Sequence, residues 1–354
     1  MPGCRMISWR IQIDMLLPPR LHDDSLYRVS LEQAAWADKR GLCEIWLSEH
    51  HGSVFISSPL VLAGALGAVT NRARIVVACL LLPLHDPIRV AEDHIMASLI
   101  SRGRTEVIVG IGYVAHEFEM FGISARDRGR VADRKLPIYI AAMAGEPFEF
   151  DGRRGRVQPG PYMGQRPPVL GGGSVTASAI RAARFCDGFA PADSAPELVD
   201  AYRAECLRLG RRPGPVRGPC LPLYVHVARD PEKAWSVLGP ALLHEMNYYG
   251  AWAAQSSGAR ISYAATPEPL TDVNLARSNP AYAVVTPAEC IDLVRKLPDG
   301  AQICLRVNKP GVHTDLSWEC LELFANEVMP HIDVFKPEQV ATPVIDPIPW
   351  AARC

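Results

Sequence analysis

A carboxylate and two imidazoles stand side by side at Glu49, His50 and His51, directly after the strand-like run Glu44–Leu47 and before Gly52. An imidazole changes charge near neutral pH and so suits general acid or base work. Adjacent side chains on a strand point to opposite faces, so only one of the two histidines can look into a site at the strand end. Three other places carry groups of similar promise. Gly171-Gly172-Gly173-Ser174 precedes a helix. It reads either as an anion cradle, with backbone N–H groups and the helix dipole facing a phosphate, or as a flexible loop with Ser174 as N-cap. His85 and Asp86 read either as an imidazole–carboxylate pair or as a loop whose Asp86 caps the helix opening at Pro87. Gly110, Gly112 and Tyr113 follow another strand-like run, with Tyr113 either a hydrogen-bond donor or a packing aromatic.

Each of these places falls just after a strand in a chain that alternates strand and helix. Strands are expected at Ile7–Met15, Glu44–Leu47, Arg74–Leu81, Thr105–Val109, Pro168–Leu170, Asp187–Ala190, Leu221–Ala228 and Gln302–Val307, with helices between them. About eight β-then-α units favour a parallel (β/α)8 TIM barrel, an α/β fold that presents its chemistry at the carboxyl ends of its strands. Phe148–Val157 reads as a hairpin turning at Asp151-Gly152. Gly250–Ala283, rich in Ala, Ser, Pro and Asn, is too long for an ordinary connection and is expected to be a lid. Residues 1–330 are expected to form the barrel domain and 331–354 a proline-rich surface tail. Pro137 should end or kink the helix expected over Arg130–Ala144.

Composition narrows the function classes. A net charge of -1 over 354 residues gives no basic face for nucleic acid. No apolar run approaches the ~18 residues of a membrane helix, and Met1–Arg10 carries no secretion signal, so a cytoplasmic protein is expected. The ten cysteines are scattered without a C-x-x-C pair, which predicts buried thiols with no disulfides and no zinc site. Metal is not expected elsewhere either, because metal-dependent barrel hydrolases usually present His-x-His from one strand.

Taken in order, these segments resemble the bacterial luciferase-like monooxygenases, a flavin- or deazaflavin-dependent superfamily of TIM barrels. The resemblance covers nearly the whole chain. It rests on WLSEHH (Trp46–His51), LLLPLHDPIRVAED (Leu80–Asp93), SRGR (Ser101–Arg104) and GIGYVAHEFEMFG (Gly110–Gly122). The Gly171–Phe189 segment, LGPALLHEMNYYGAW (Leu238–Trp252) and LELFANEVMPH (Leu321–His331) complete it. It implies that His50 is the acid/base near the flavin ring, with Glu49 and His51 as its neighbours and orienters. It further implies a cis peptide at Ala78-Cys79 beneath the ring system, and cofactor contacts from Gly110, Tyr113, Gly172, Gly173 and Ser174. The activity implied is oxygenation of a small organic substrate by reduced FMN and dioxygen through a flavin C4a-peroxide, with a separate flavin reductase and a homodimeric assembly. Hydride transfer with F420 is the alternative on the same barrel, a catalytically silent flavin-binding protein the third reading, and a metal hydrolase the last. One departure matters: many relatives have Gly-Arg-Gly-Tyr after the fourth strand, and here Ile111 takes the arginine's place. A charge-assisted phosphate contact is then missing, unless another arginine such as Arg128 supplies it.

Overall fold

The computed structural model describes residues 6–13, 25–53, 55–192, 195–218, 222–255, 268–309 and 311–336. The chain opens with β1 (Met6–Ile13), α1 (Ser25–Asp38), β2 (Glu44–Leu47), α2 (Pro59–Val69), β3 (Arg74–Leu81), α3 (Pro87–Ile100) and β4 (Thr105–Gly110). Next come α4 (Ala115–Met120), α5 (Arg128–Met143), the hairpin β5 (Phe148–Phe150) and β6 (Arg153–Gly155), β7 (Val169–Gly173), α6 (Thr176–Phe185), β8 (Gly188–Pro191) and α7 (Pro196–Arg208). The last third holds β9 (Tyr224–Val227), α8 (Pro231–Ala254), α9 (Val273–Arg277), β10 (Tyr282–Val285), α10 (Pro287–Lys296), β11 (Gln302–Arg306), α11 (Thr314–Leu323) and β12 (Asp333–Val334).

Among the described residues the main sheet runs β10-β9-β11-β1-β2-β3-β4-β7-β8, all pairs parallel. Beyond β8 the chain adds one bridge, Phe189 to Val216. Both faces of the sheet are covered, and the central strands carry continuous apolar runs, Ile75–Leu81 in β3 and Val107–Val109 in β4. Ile75, Val77, Val107 and Val109 pack outward in the large core shared with the helices, while Val76, Ile108, Leu170 and Ala190 form a separate inner cluster. This is the α/β TIM-barrel architecture.

The inner face is pinned by charge. Arg217 reaches Glu44 Oε1 at 2.6 Å and Glu106 Oε2 at 3.0 Å, and Arg74 reaches Glu106 at 3.3 Å. Gln302 and the Trp46 indole donate to Glu44 as well. Burial pushes the Glu44 carboxyl up, but Arg217 and Arg74 outweigh it and hold it near about 2. For Glu106 burial wins and the carboxyl is raised. The network ties β2, β3, β4 and β11 to the segment after β8, so it fixes strand positions beneath the mouth of the barrel.

Local sequence explains the element ends. Asp86 caps α3 by accepting from the Ile88 and Arg89 amides at 2.9 and 3.2 Å, so the capping alternative holds and no His85–Asp86 pair forms. The hairpin turns at Asp151 and Gly152, both with positive φ (48° and 75°), as a two-residue turn requires. Gly67 lets α2 lie against α3, because a Cβ there would sit 2.7 Å from Ser101 Cβ.

Four expectations are corrected. The helix α5 continues through Pro137 to Met143 instead of stopping there. The helix after the glycine run starts at Thr176, and Gly171, Gly172 and Gly173 belong to β7 itself. The 250–283 stretch is partly regular: α8 extends to Ala254, α9 follows, and β10 begins at Tyr282 and leads to α10. Residues 256–267, the rest of the expected lid, lie outside the described residues. The tail begins within the fold, since β12 pairs with β1 through Met6–Asp333 and Ile7–Val334. No helix among the described residues is long and apolar enough to cross a membrane.

Arg166 and Asp187 form a buried two-pronged ion pair at 2.7 and 2.5 Å, and Asp187 also accepts the Val169 amide. Removing one partner strands the other charge, so Asp187→Ala should lower unfolding stability by about 3–5 kcal/mol. Urea denaturation measures this, and a loss below about 1 kcal/mol, the range of surface pairs, would contradict it.

Candidate active site

A cavity of about 390 Å³ opens at the carboxyl ends of β2, β3, β4 and β7. Of the residues singled out in the sequence, Glu49, His50, Ala78, Cys79, Gly110, Tyr113, Gly172, Gly173 and Ser174 all line it, and His51 does not. Beyond the end of β2 at Leu47 the chain turns so that His50 faces the cavity and His51 does not.

His50 is held by a residue the sequence reading passed over. Its Nδ1 lies 3.0 Å from Glu117 Oε1, and the same oxygen accepts the His51 amide at 2.9 Å. An oxygen already accepting an amide accepts from the ring too, which places a proton on Nδ1 and leaves Nε2 as the nitrogen free for chemistry. Glu117 is fully buried on α4, a helix of six residues (Ala115–Met120) that is not among the expected elements. Its only sequence signal is a carboxylate beside Phe118 soon after a strand end, and nothing local separates it from Glu119 two positions on.

The expected orienters of His50 are bonded elsewhere. Glu49 Oε1 meets His51 Nε2 at 2.9 Å and His85 Nε2 at 2.6 Å, and Glu49 Oε2 accepts the Leu81 amide at 2.6 Å. Burial pushes the Glu49 carboxyl up, yet these hydrogen bonds more than compensate and hold it at about 2. His51 instead packs against Phe121, with ring centroids 4.7 Å apart.

Around His50 stand aromatic rings from three segments. Trp252 and Phe55 lie 4.7 and 5.0 Å away by centroid, Tyr249 and Tyr113 6.0 and 6.2 Å. Tyr249 and Trp252 come from the last turns of α8, so the helix that overran its expected end supplies this wall. An imidazole so enclosed is shielded from bulk water, which strengthens its electrostatic interactions.

The opposite wall is backbone. The Ala78-Cys79 peptide is cis, where the resemblance places it. Gly110 and Gly172 flank Cys79 so closely that a Cβ would lie 2.8 Å from Cys79 Cβ in the first case and 3.0 Å from its Sγ in the second. Burial and the Glu49 charge push the Cys79 thiol up to about 12, so it stays protonated and inert. Gly173, Ser174 and Arg128 line the same cavity, and the buried Nε of Arg128 has no hydrogen-bond partner among the described residues. Ile111 lines it too, and Arg128 is one of four arginines in the lining, with Arg10, Arg217 and Arg306. A flat ring system against backbone, with an anionic tail on Arg128 and Ser174, fits this shape.

Glu117→Ala should free the His50 ring and leave the His51 amide unpaired. The expected results are loss of the His50 Nδ1–H resonance in NMR, assigned by its absence from His50→Gln, and destabilisation by about 1–3 kcal/mol. Persistence of that resonance in a folded Glu117→Ala protein would overturn the assignment.

Comparison with known proteins places the chain in a family. The family model described as luciferase-like monooxygenase matches residues 11–300. The limonene 1,2-monooxygenase of Rhodococcus erythropolis is 24% identical over 345 residues, covering 92% of this chain and 87% of that protein. Other matches are partial: an uncharacterized protein of Sinorhizobium fredii is 28% identical over 38% of this chain, and the match spans 39% of its length. Among solved structures, monooxygenase RslO1 from Streptomyces bottropensis aligns with a TM-score of 0.72 at 23% identity, covering 92% of this chain and 99% of that one. The oxygenating constituent of 3,6-diketocamphane monooxygenase from Pseudomonas putida, in complex with FMN, aligns at 0.68 and 19%, covering 93% and 99%. An F420-dependent secondary alcohol dehydrogenase aligns at 0.65 and 16%, covering 94% and 100%. The structural likenesses carry the fold, and the family model, matching most of the chain, carries the membership: this chain belongs to the luciferase-like monooxygenase family.

Proposed function

We propose that the chain oxygenates a small apolar organic substrate with reduced FMN and dioxygen. The observation that carries this reading is one cavity lined both by Gly173, Ser174 and Arg128, groups that suit an anion, and by the enclosed imidazole of His50. Reduced FMN, when bound, supplies the electrons that activate dioxygen. Gly110, Gly172 and the Ala78-Cys79 peptide would lie against its ring system, and Ser174 with Arg128 would hold its phosphate. His50, fixed through Nδ1 by Glu117, presents Nε2 to take or give a proton. Tyr113, Tyr249, Leu81 and Leu223 form an apolar lining that excludes water and suits an apolar substrate.

FMN is supported over F420 by the FMN complex of the diketocamphane enzyme, and oxygenation by the limonene 1,2-monooxygenase that this chain matches over most of its length. The F420-dependent dehydrogenase, of the same fold, supports hydride transfer as the second reading. We further propose a separate flavin reductase as partner, residence in the cytoplasm, and a homodimer. Val61 and Val69 on α2 and Met96 and Ile100 on α3 are exposed on neighbouring helices and supply an apolar face for a second copy.

Titration of the reduced protein with FMN and with F420 tests the cofactor; saturation by F420 alone would replace the FMN reading. Arg128→Ala should weaken FMN about tenfold or more, the worth of a charge-assisted bond, and leave riboflavin, which lacks the phosphate, unaffected. His50→Ala should fold and bind FMN but lose about 10²–10⁴ of reductase-coupled oxygenation. Oxygenation at parental rates by that variant would remove His50 from the chemistry, and parental protein that binds flavin but turns over nothing would point to the silent reading.

A further inference from the structure

Glu49, His51 and His85 have a second property that neither the His50–Glu117 pair nor the flavin reading uses. Each offers one donor atom, and those atoms lie within 4.8 Å of one another. Two imidazole Nε2 atoms and one carboxylate oxygen are the donor set of many three-ligand transition-metal sites, and imidazole with carboxylate suits zinc, iron, nickel and copper. We propose that Glu49, His51 and His85 form a binding site for a single divalent ion of the zinc class, on the outer side of the cavity wall.

Four features show a site already built. The donors come from two elements that the sheet holds side by side, the ends of β2 and β3. The second Glu49 oxygen is fixed by the Leu81 amide at 2.6 Å, the kind of outer contact that aims a ligating carboxylate. The turn carrying His85 is anchored from α5, where Lys135 Nζ donates to the Pro83 and His85 carbonyls at 2.8 and 2.6 Å. Finally, the His85 side chain is 25% exposed while those of Glu49 and His51 are nearly enclosed, so His85 is the solvent-facing side of the cluster.

Both Nε2 atoms share Glu49 Oε1 at hydrogen-bond distances of 2.6 and 2.9 Å. Metal bonds of about 2.0–2.1 Å in a tetrahedral ion set donors roughly 3.4 Å apart, so binding lengthens each of these two separations by somewhat under an ångström. The two Nε2 protons move to Nδ1 or to solvent, and the freed lone pairs take the ion. Because Glu49 also lines the cavity, occupancy is transmitted to the pocket wall. The exposed His85 side chain is the part most free to make this shift.

The test uses the full chain, free of tags and stripped with chelator. Equilibrium dialysis with Zn²⁺ should give one ion per chain, and Co²⁺ should produce visible d–d bands of low-symmetry coordination. His85→Ala and Glu49→Gln, each shown folded by circular dichroism, should weaken binding at least about tenfold. Failure of the parental protein to retain zinc at micromolar free ion would overturn the site. So would stoichiometry and Co²⁺ bands unchanged in both variants, since the ion would then sit elsewhere. None of these readouts involves flavin, so they stand or fall apart from the oxygenase reading.

Discussion

One oxygen of Glu117 bridges the ring of His50 and the amide of His51, and the geometry of the site depends on that contact. A fully buried carboxylate is costly unless it is hydrogen-bonded; Glu117 meets both donors through Oε1, while its Oε2 has no partner among the described residues. The two donors it accepts belong to the end of β2, while Glu117 rides on α4, beyond β4. The contact therefore locks two strand ends together and sets the imidazole orientation in one stroke.

The walls around that imidazole follow from two different kinds of packing. On one side, backbone approaches backbone: Gly110 and Gly172 have no room for a Cβ beside Cys79, and the resulting flat surface is what a planar ring system needs. On the other, rings from Phe55, Tyr113, Tyr249 and Trp252 crowd His50 from the side. Beneath both lies the Glu44–Arg217–Glu106 network, which holds the strands whose ends make the cavity. A buried network of this kind adds little net stability on its own and is better understood as fixing register.

The carboxylates of Glu49 and Glu117 divide the histidines between them. Adjacent in sequence, His50 and His51 serve separate groups, because past the end of β2 their rings meet different carboxylates. Glu117 holds His50 toward the cavity, and Glu49 gathers His51 and His85 behind it. The simple expectation that Glu49 orients its neighbour fails for the same geometric reason.

Strand ends, the alternation of β and α, the capping role of Asp86 and the placing of Gly172 and Gly173 at the cavity were legible in the chain because each is a short-range preference. Apolar runs, a proline after a capping carboxylate and glycines at crowded positions are written within a few residues. So was the set of groups lining the cavity, since a parallel barrel gathers its strand ends at one mouth. The partner of His50, the overrun of α8 to Trp252, the passage of α5 through Pro137 and the convergence of His85 on Glu49 were decided only by the tertiary structure. Glu117 is 67 positions from His50, and His85 is 36 from Glu49. At such separations no local pattern says which buried carboxylate meets which imidazole; only the packing of strands and helices around them does.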